Sequence, residues 1–265
     1  MMIRLVAMTA LALCQAAPAA AQAVGETLHY LRSNRDGSSP EHIYVHRPAA
    51  TRLAVYKMVA RCTRAALVTA TIDPVTGQAS RLEAAGLKPG ARSERYGVMR
   101  YDAARRRIVA DVTMDAPVHA EVAVGTTPWH LYDYDLATLS VAGAAIVRAR
   151  AARFGFGMAL VWVDPERPKE FLRWIGAADA RLVRPERHLG VQSLRYAVSG
   201  PAFGAAGGGP LWLDARRGNI VDVQWGRPNH AENADFRLRL IGREPAGALA
   251  WTALLRRHFA GCPAG

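Results

Sequence analysis

The stretch Leu213-Asp214-Ala215-Arg216-Arg217-Gly218-Asn219-Ile220-Val221-Asp222-Val223-Gln224-Trp225 reads as the end of one strand, a tight turn and the start of the next. Val221, Val223 and Trp225 alternate with Asp222 and Gln224, the period of two that gives a strand one apolar and one polar face. Arg217-Gly218-Asn219 supplies residues that tolerate positive φ, as a tight antiparallel connection requires. The pattern has an upstream echo, YDAARRRIVADV at 101–112: an apolar residue, Asp-Ala, an Arg-rich turn, then Ile-Val and Asp-Val. Two readings stay open: independent hairpins that both place Asp where its side chain bonds turn amides, or duplication of a β-meander.

The same alternation spreads outward from this hairpin. Phe236, Leu238 and Leu240 alternate with Arg237 and Arg239, and Ile108, Ala110, Val112 and Met114 with Asp111 and Thr113. Leu194, Tyr196 and Val198, and Val122 and Val124, continue it, while Asn34-Arg35-Asp36-Gly37 carries another hairpin signal. Strands with one apolar face belong to antiparallel sheets packed on one side and wet on the other. Three helices are expected among them. One starts at Asp164-Pro165-Glu166-Arg167-Pro168, carries Phe171, Trp174 and Ile175 as its stripe and stops at Gly176. Another follows Asp135, which serves as its N-cap. The last is the C-terminal run ALAWTALLRRHFAG, with Trp251, Leu254, Leu255 and Phe259 on one side and Arg256, Arg257 and His258 where the macrodipole favours cations. The expected class is α+β and β-dominated: a large curled, half-barrel-like antiparallel sheet with about three short helices.

Residues 1–23 combine Arg4, an apolar run from Leu5 to Leu13 and the small-residue ending Ala21-Gln22-Ala23, the pattern of a cleavable secretory signal peptide. That leaves 24–265 as a single β-rich domain in the periplasm. Lipidation at Cys14 is the minor alternative, disfavoured because Leu13 is large where lipoprotein processing needs a small residue. No later apolar run is long enough to cross a bilayer. Cys62 and Cys262 then remain, and in an oxidising compartment an even count is most simply a disulfide. The formal net charge is +12, which taken alone suggests an anionic partner. The basic residues, however, are scattered and almost all Arg, with Lys57, Lys88 and Lys169 the only lysines. Without a basic block, and with export removing the targets, nucleic acid is not an expected partner.

The densest cluster of chemical side chains is Pro128-Trp129-His130-Leu131-Tyr132-Asp133-Tyr134-Asp135-Leu136. His130, Asp133 and Asp135 are competent metal or proton-transfer groups. A closed metal site needs further ligands, and His119, His188, His230 and His258 are isolated, so no metal or other cofactor is expected. His42 and His46 lie in a β-branched, aromatic segment between Pro40 and Pro48; on a strand their Cα atoms are about 13 Å apart, too far for one ion. No G-x-S-x-G elbow or phosphate loop is present. Two readings of the cluster compete. In one, Trp129, Leu131 and Leu136 pack into the core while Asp133 and Asp135 cap a turn and a helix start. In the other, Trp129, His130, Tyr132, Asp133 and Tyr134 form the lip of a binding pocket, where aromatic residues with polar tips are common. The polar loop Arg227-Pro228-Asn229-His230-Ala231-Glu232-Asn233, between two strands, is polar enough to bind a ligand but reads first as an exposed hairpin connection.

A leader peptide, strands with one apolar face, hairpins such as LDARRGNIV and short lid-like helices together resemble the periplasmic lipoprotein-carrier superfamily. The likeness is architectural and covers most of the mature chain. It implies an open half-barrel whose concave apolar face holds acyl chains; no functional residue is carried over. The leading expectation is a non-enzymatic exported protein that binds an apolar or amphipathic ligand, such as a lipid, in the concavity of its sheet. Two alternatives accompany it: a metal-dependent or acid–base hydrolase centred on His130, Asp133 and Asp135, and a structural envelope component with a protein partner.

Overall fold

The computed structural model describes residues 22–113, 116–163 and 170–263. Its first eight strands are β1 (Thr27–Ser33), β2 (Glu41–Ala49), β3 (Arg52–Met58), β4 (Ala65–Ile72), β5 (Ala79–Lys88), β6 (Arg92–Asp102), β7 (Arg107–Thr113) and β8 (Pro117–Ala123). After β9 (Trp129–Leu131) and α1 (Ala137–Arg148) come β10 (Arg153–Val161), β11 (Leu172–His188), β12 (Val191–Ser199), β13 (Gly209–Asp214), β14 (Ile220–Trp225), β15 (Phe236–Glu244) and α2 (Ala248–Arg257).

All fifteen strands belong to one open, curled sheet, in the order β8-β7-β6-β5-β4-β3-β2-β1-β15-β14-β13-β12-β11-β10-β9. Every pairing is antiparallel except β9 with β10, which run parallel across α1. The first and last strands therefore sit side by side in the middle, and the two edges, β8 and β9, are consecutive in sequence. The result is an up-and-down meander joined through β1 and β15 and left unpaired at a single seam. At the seam Trp174 of β11 packs against glycines. A Cβ on Gly157 would lie 2.4 Å from the Thr126 carbonyl oxygen and 2.2 Å from the Trp174 ring, so only glycine fits that approach.

Alternation decides what each face meets. Leu28 and Tyr30 of β1, Ile43 and Val45 of β2, and Leu53 and Val55 of β3 share the inner, concave face and are almost fully buried. The first half of α1 is buried against this face, with Leu139, Val141 and Ala142 in the same core. On the outer face, Tyr44 and Tyr56 meet Leu254, Leu255 and Trp251 of α2. The disulfide between Cys62 and Cys262, with Cα atoms 5.5 Å apart, ties the end of that helix to the β3–β4 connection. The two echoed hairpins occupy different arms of the sheet and use one device. Asp102 accepts from the Arg105 amide at 3.0 Å, and Asp214 accepts from Arg216 and Arg217 at 2.8 and 2.9 Å, beside Gly218 at φ 78°.

Three expectations are corrected. Leu172–Gly176 is the start of the 17-residue strand β11, not the end of a helix, and 164–169 lies outside the described residues. A β-bulge opposite Met158/Ala159 leaves Ile175 unpaired, and this extra residue makes an extended segment imitate helical spacing. Asp135 does not cap α1: Leu136 occupies that position, and no side chain caps it. Asp222 is not on a wet face but fully buried, holding Arg237 at 3.0 Å and His188 at 2.9 Å.

Candidate functional site

The two arms of the sheet fill their inner faces differently. From β10 to β15 the inward positions carry large rings: Phe156 and Tyr196 meet Phe154, and Trp225 and Phe236 meet Tyr132, with Phe203 also against Trp225. Across β4–β7 the paired inward positions are Ala66, Val68, Leu82, Ala84, Gly97, Met99, Ala110 and Val112, half of them too small to reach across. The shortfall leaves a cavity of about 480 Å³, bounded on the far side by Leu131, Tyr134, Val161, Trp162 and Phe171. This volume lies within the range of small-molecule sites, and apolar walls with a few convergent polar groups are their usual make-up.

The polar groups converge at one end, where the apolar rows of β1, β2 and β3 finish in Arg32, Glu41 and Lys57. Lys57 Nζ lies 2.5 Å from Asp135 Oδ2, and both side chains are buried. The ammonium also donates to the Asp133 carbonyl. Arg32 donates to Glu41 at 2.6 Å and to Asn229 Oδ1 at 3.3 Å, and Asn229 Nδ2 donates to Asp135 Oδ1 at 2.9 Å. Glu232, 3.7 Å from Arg32 and 64% exposed, marks the mouth together with Tyr96 and Val163. Arg32 Nε is 3.9 Å from Asp135 Oδ1, beyond hydrogen-bonding reach, and among the described residues neither it nor His230 Nε2 has a hydrogen-bond partner.

Burial and charge set the protonation states. Burial pushes Asp133 up to about 6, with Lys57 opposing and Asp135 reinforcing. Burial acts upward on Asp135 too, but Lys57 and Arg32 outweigh it and hold this carboxyl below its ordinary value. Burial works against the Lys57 ammonium, yet Asp135, Asp133 and Glu41 raise it, so the pair is ionised. Glu41 is raised by burial despite Lys57 and Arg32. His230 is pushed down to about 3, first by burial and then by Lys57 and Arg32, and is neutral. Among the described residues the Asp133 carboxylate is short of partners: Oδ1 accepts a long 3.4 Å bond from the Val161 amide.

The aromatic cluster at 128–136 splits between core and cavity. Asp133 and Tyr134 line the cavity, Tyr134 donating to the Val68 carbonyl at 3.3 Å. Tyr132 is buried and donates to the Arg227 carbonyl at 2.6 Å, beside Trp225 and Phe236. Trp129 is buried next to Tyr101. His130 is buried with Nδ1 3.0 Å from Thr138 Oγ1 and its ring against Phe156; burial pushes it down to about 3, so it is neutral. Among the described residues no group of three His, Cys, Asp or Glu side chains is placed to hold a metal ion. His42 and His46 do lie on a strand, bonded separately to His29 and Thr27. The loop 227–233 is not simply exposed: Asn229 is fully buried, and His230 and Glu232 face the cavity.

No family description, curated protein or solved structure matches this chain. Among the described residues no helix is long and apolar enough to cross a membrane.

Proposed function

We propose that this is an exported, non-enzymatic protein that binds an amphipathic, lipid-like ligand in the concavity of its sheet. The observation that carries the reading is the cavity of about 480 Å³, apolar along β4–β7 and charged at one end. An acyl or similar chain would lie against Val68, Leu82 and Met99, with its polar end among Arg32, Asp133 and Glu232. The leader-like N-terminus and the disulfide support export to the periplasm. The architectural resemblance to periplasmic lipoprotein carriers points to the same class of ligand.

Filling the cavity tests the reading. Ala84→Trp places an indole in the space left by a methyl group opposite Val68 and Gly97. The neutral fluorophore N-phenyl-1-naphthylamine is expected to bind the wild-type protein and to lose at least about ten-fold in affinity in the variant, while both chains show the same circular dichroism. Equal binding by the two folded chains would rule out this cavity as the site.

A further inference from the structure

The charged end of the cavity is not neutral. Among the described residues two cations, Arg32 and Lys57, stand among four carboxylates, Glu41, Asp133, Asp135 and Glu232, and His230 is uncharged. Both cations are already committed: Lys57 to Asp135 and the Asp133 carbonyl, Arg32 to Glu41 and Asn229. What remains open to a ligand is acceptor capacity, on Asp133 inside the cavity and on Glu232 at its mouth. A ligand ammonium placed there would complete the hydrogen bonding of a carboxylate short of partners, whereas an anionic head would meet two like charges with no uncommitted cation among the described residues.

Resting on the reading that the cavity holds an amphiphile, the geometry points to a cationic class of ligand: a single-chain amine or amino alcohol, its ammonium between Asp133 and Glu232 and its chain along the β4–β7 wall.

Calorimetric titration of dodecylamine, dodecanol and dodecanoate at pH 7.5, below their aggregation limits, tests this. Dodecylamine is expected to bind at least about ten-fold more tightly than dodecanoate, with dodecanol between them. Asp133→Asn should shrink the preference for amine over alcohol several-fold while leaving alcohol binding unchanged. Glu232→Gln, at a 64% exposed position, should shrink it by less. Carboxylate binding equal to amine binding, or a preference untouched by both variants, would overturn the inference and leave the cavity reading intact. Failure of all three amphiphiles to bind would remove the cavity reading itself.

An independent observation concerns where the leader ends. Gln22 is 2% exposed, its Nε2 donates to the Val45 carbonyl at 2.7 Å and the Glu26 carbonyl at 2.8 Å, and its own carbonyl accepts from Arg47 at 2.9 Å. Cleavage after Ala23 would discard these bonds and leave Arg47, itself buried, short of an acceptor. Ala19-Ala20-Ala21 offers a second A-x-A site two residues earlier. We infer that processing occurs after Ala21, so that the mature chain begins with Gln22. The intact mass of the exported protein decides it: a chain starting at Gln22 is expected, and one starting at Val24 would overturn the inference. A chain lipidated at Cys14 would overturn it too, and an unprocessed chain would overturn it together with cleavable export.

Discussion

Two neighbouring carboxylates, Asp133 and Asp135, show how position sets behaviour. Asp135 has the Lys57 ammonium at 2.5 Å and is ionised; at Asp133 burial outweighs the more distant Lys57 charge and a long amide bond, and the carboxyl is pushed from 3.8 up to about 6. A raised carboxyl favours the folded state only while it is protonated. The contribution of Asp133 to stability is therefore expected to fall as pH rises from about 4 to 6 and then level off. Asp133→Asn should raise the unfolding free energy at pH 7.5 by about 1–3 kcal/mol, at about 1.4 kcal/mol per pKa unit. The gain should vanish near pH 4; urea unfolding at the two pH values checks it. The Lys57–Asp135 pair predicts the opposite kind of result. Lys57→Met strands a buried carboxylate and should cost about 3–5 kcal/mol. Adding Asp135→Asn should return most of that loss, because asparagine suits the left-handed backbone there (φ 50°) and still accepts from Asn229. Urea midpoints of the single and double variants give the comparison. Part of this site was legible in the sequence, in Asp133 and Tyr134 of the aromatic cluster; Arg32, Glu41 and Lys57 were missed, although each is a charge standing where the apolar row of its own strand continues. Their convergence with Asp133, Asn229 and His230 was not legible, because it depends on strand order and on a loop some 200 residues away from Arg32 in the chain.

At the scale of elements, the strands were the readable part, since period-two alternation fixes which face is apolar whatever the neighbours are. Turn residues placed the hairpins at Gly37 and Gly218, both with positive φ, and the spacing of Trp251, Leu254 and Leu255 placed α2. Reading failed where local geometry departs from its period. The bulge at Ile175 inserts one residue into β11, and an i, i+3, i+4 pattern then arises in an extended chain. At Asp222 alternation identified the side but not the cover, because the His188 and Arg237 side chains that bury it come from other strands. Helix α2 and its disulfide carry a prediction of their own. The bridge joins residues 200 apart, and closing so long a loop restricts the unfolded chain by about 5 kcal/mol in the entropic treatment. Cys62→Ser/Cys262→Ser should lower the unfolding free energy by up to that amount in guanidinium titrations. Because α2 packs on the outer face and the cavity opens from the inner one, affinity for N-phenyl-1-naphthylamine should stay within about two-fold under conditions where the variant is folded.

For the whole molecule the decisive feature is the seam. Fourteen strand pairings among the described residues hold the sheet together, and the edges β8 and β9, adjacent in sequence, are not paired with each other. Trp174 occupies the junction, close to Gly125 and Gly157, and the cavity lies just inside, walled by β4–β7 on one side and by β9, β10 and the residues after them on the other. Opening the seam is therefore the motion that would widen the cavity while leaving the central β1–β15 ladder intact. Gly157→Ala should force that opening: its methyl group would overlap the Thr126 carbonyl, which as backbone cannot swing aside. Overpacking of this kind costs about 1–3 kcal/mol. Gly155→Ala is the control in the same strand, since a Cβ there meets only the Ala178 carbonyl at an ordinary 3.5 Å and should cost much less. Hydrogen exchange separates seam opening from general loosening. Gly157→Ala should accelerate exchange in residues 124–131 and in β10, and leave β1, β2 and β15 protected as in the parent chain. Uniform acceleration across the sheet would mean that the seam is not an independent unit, and that any ligand enters the cavity without parting the two arms.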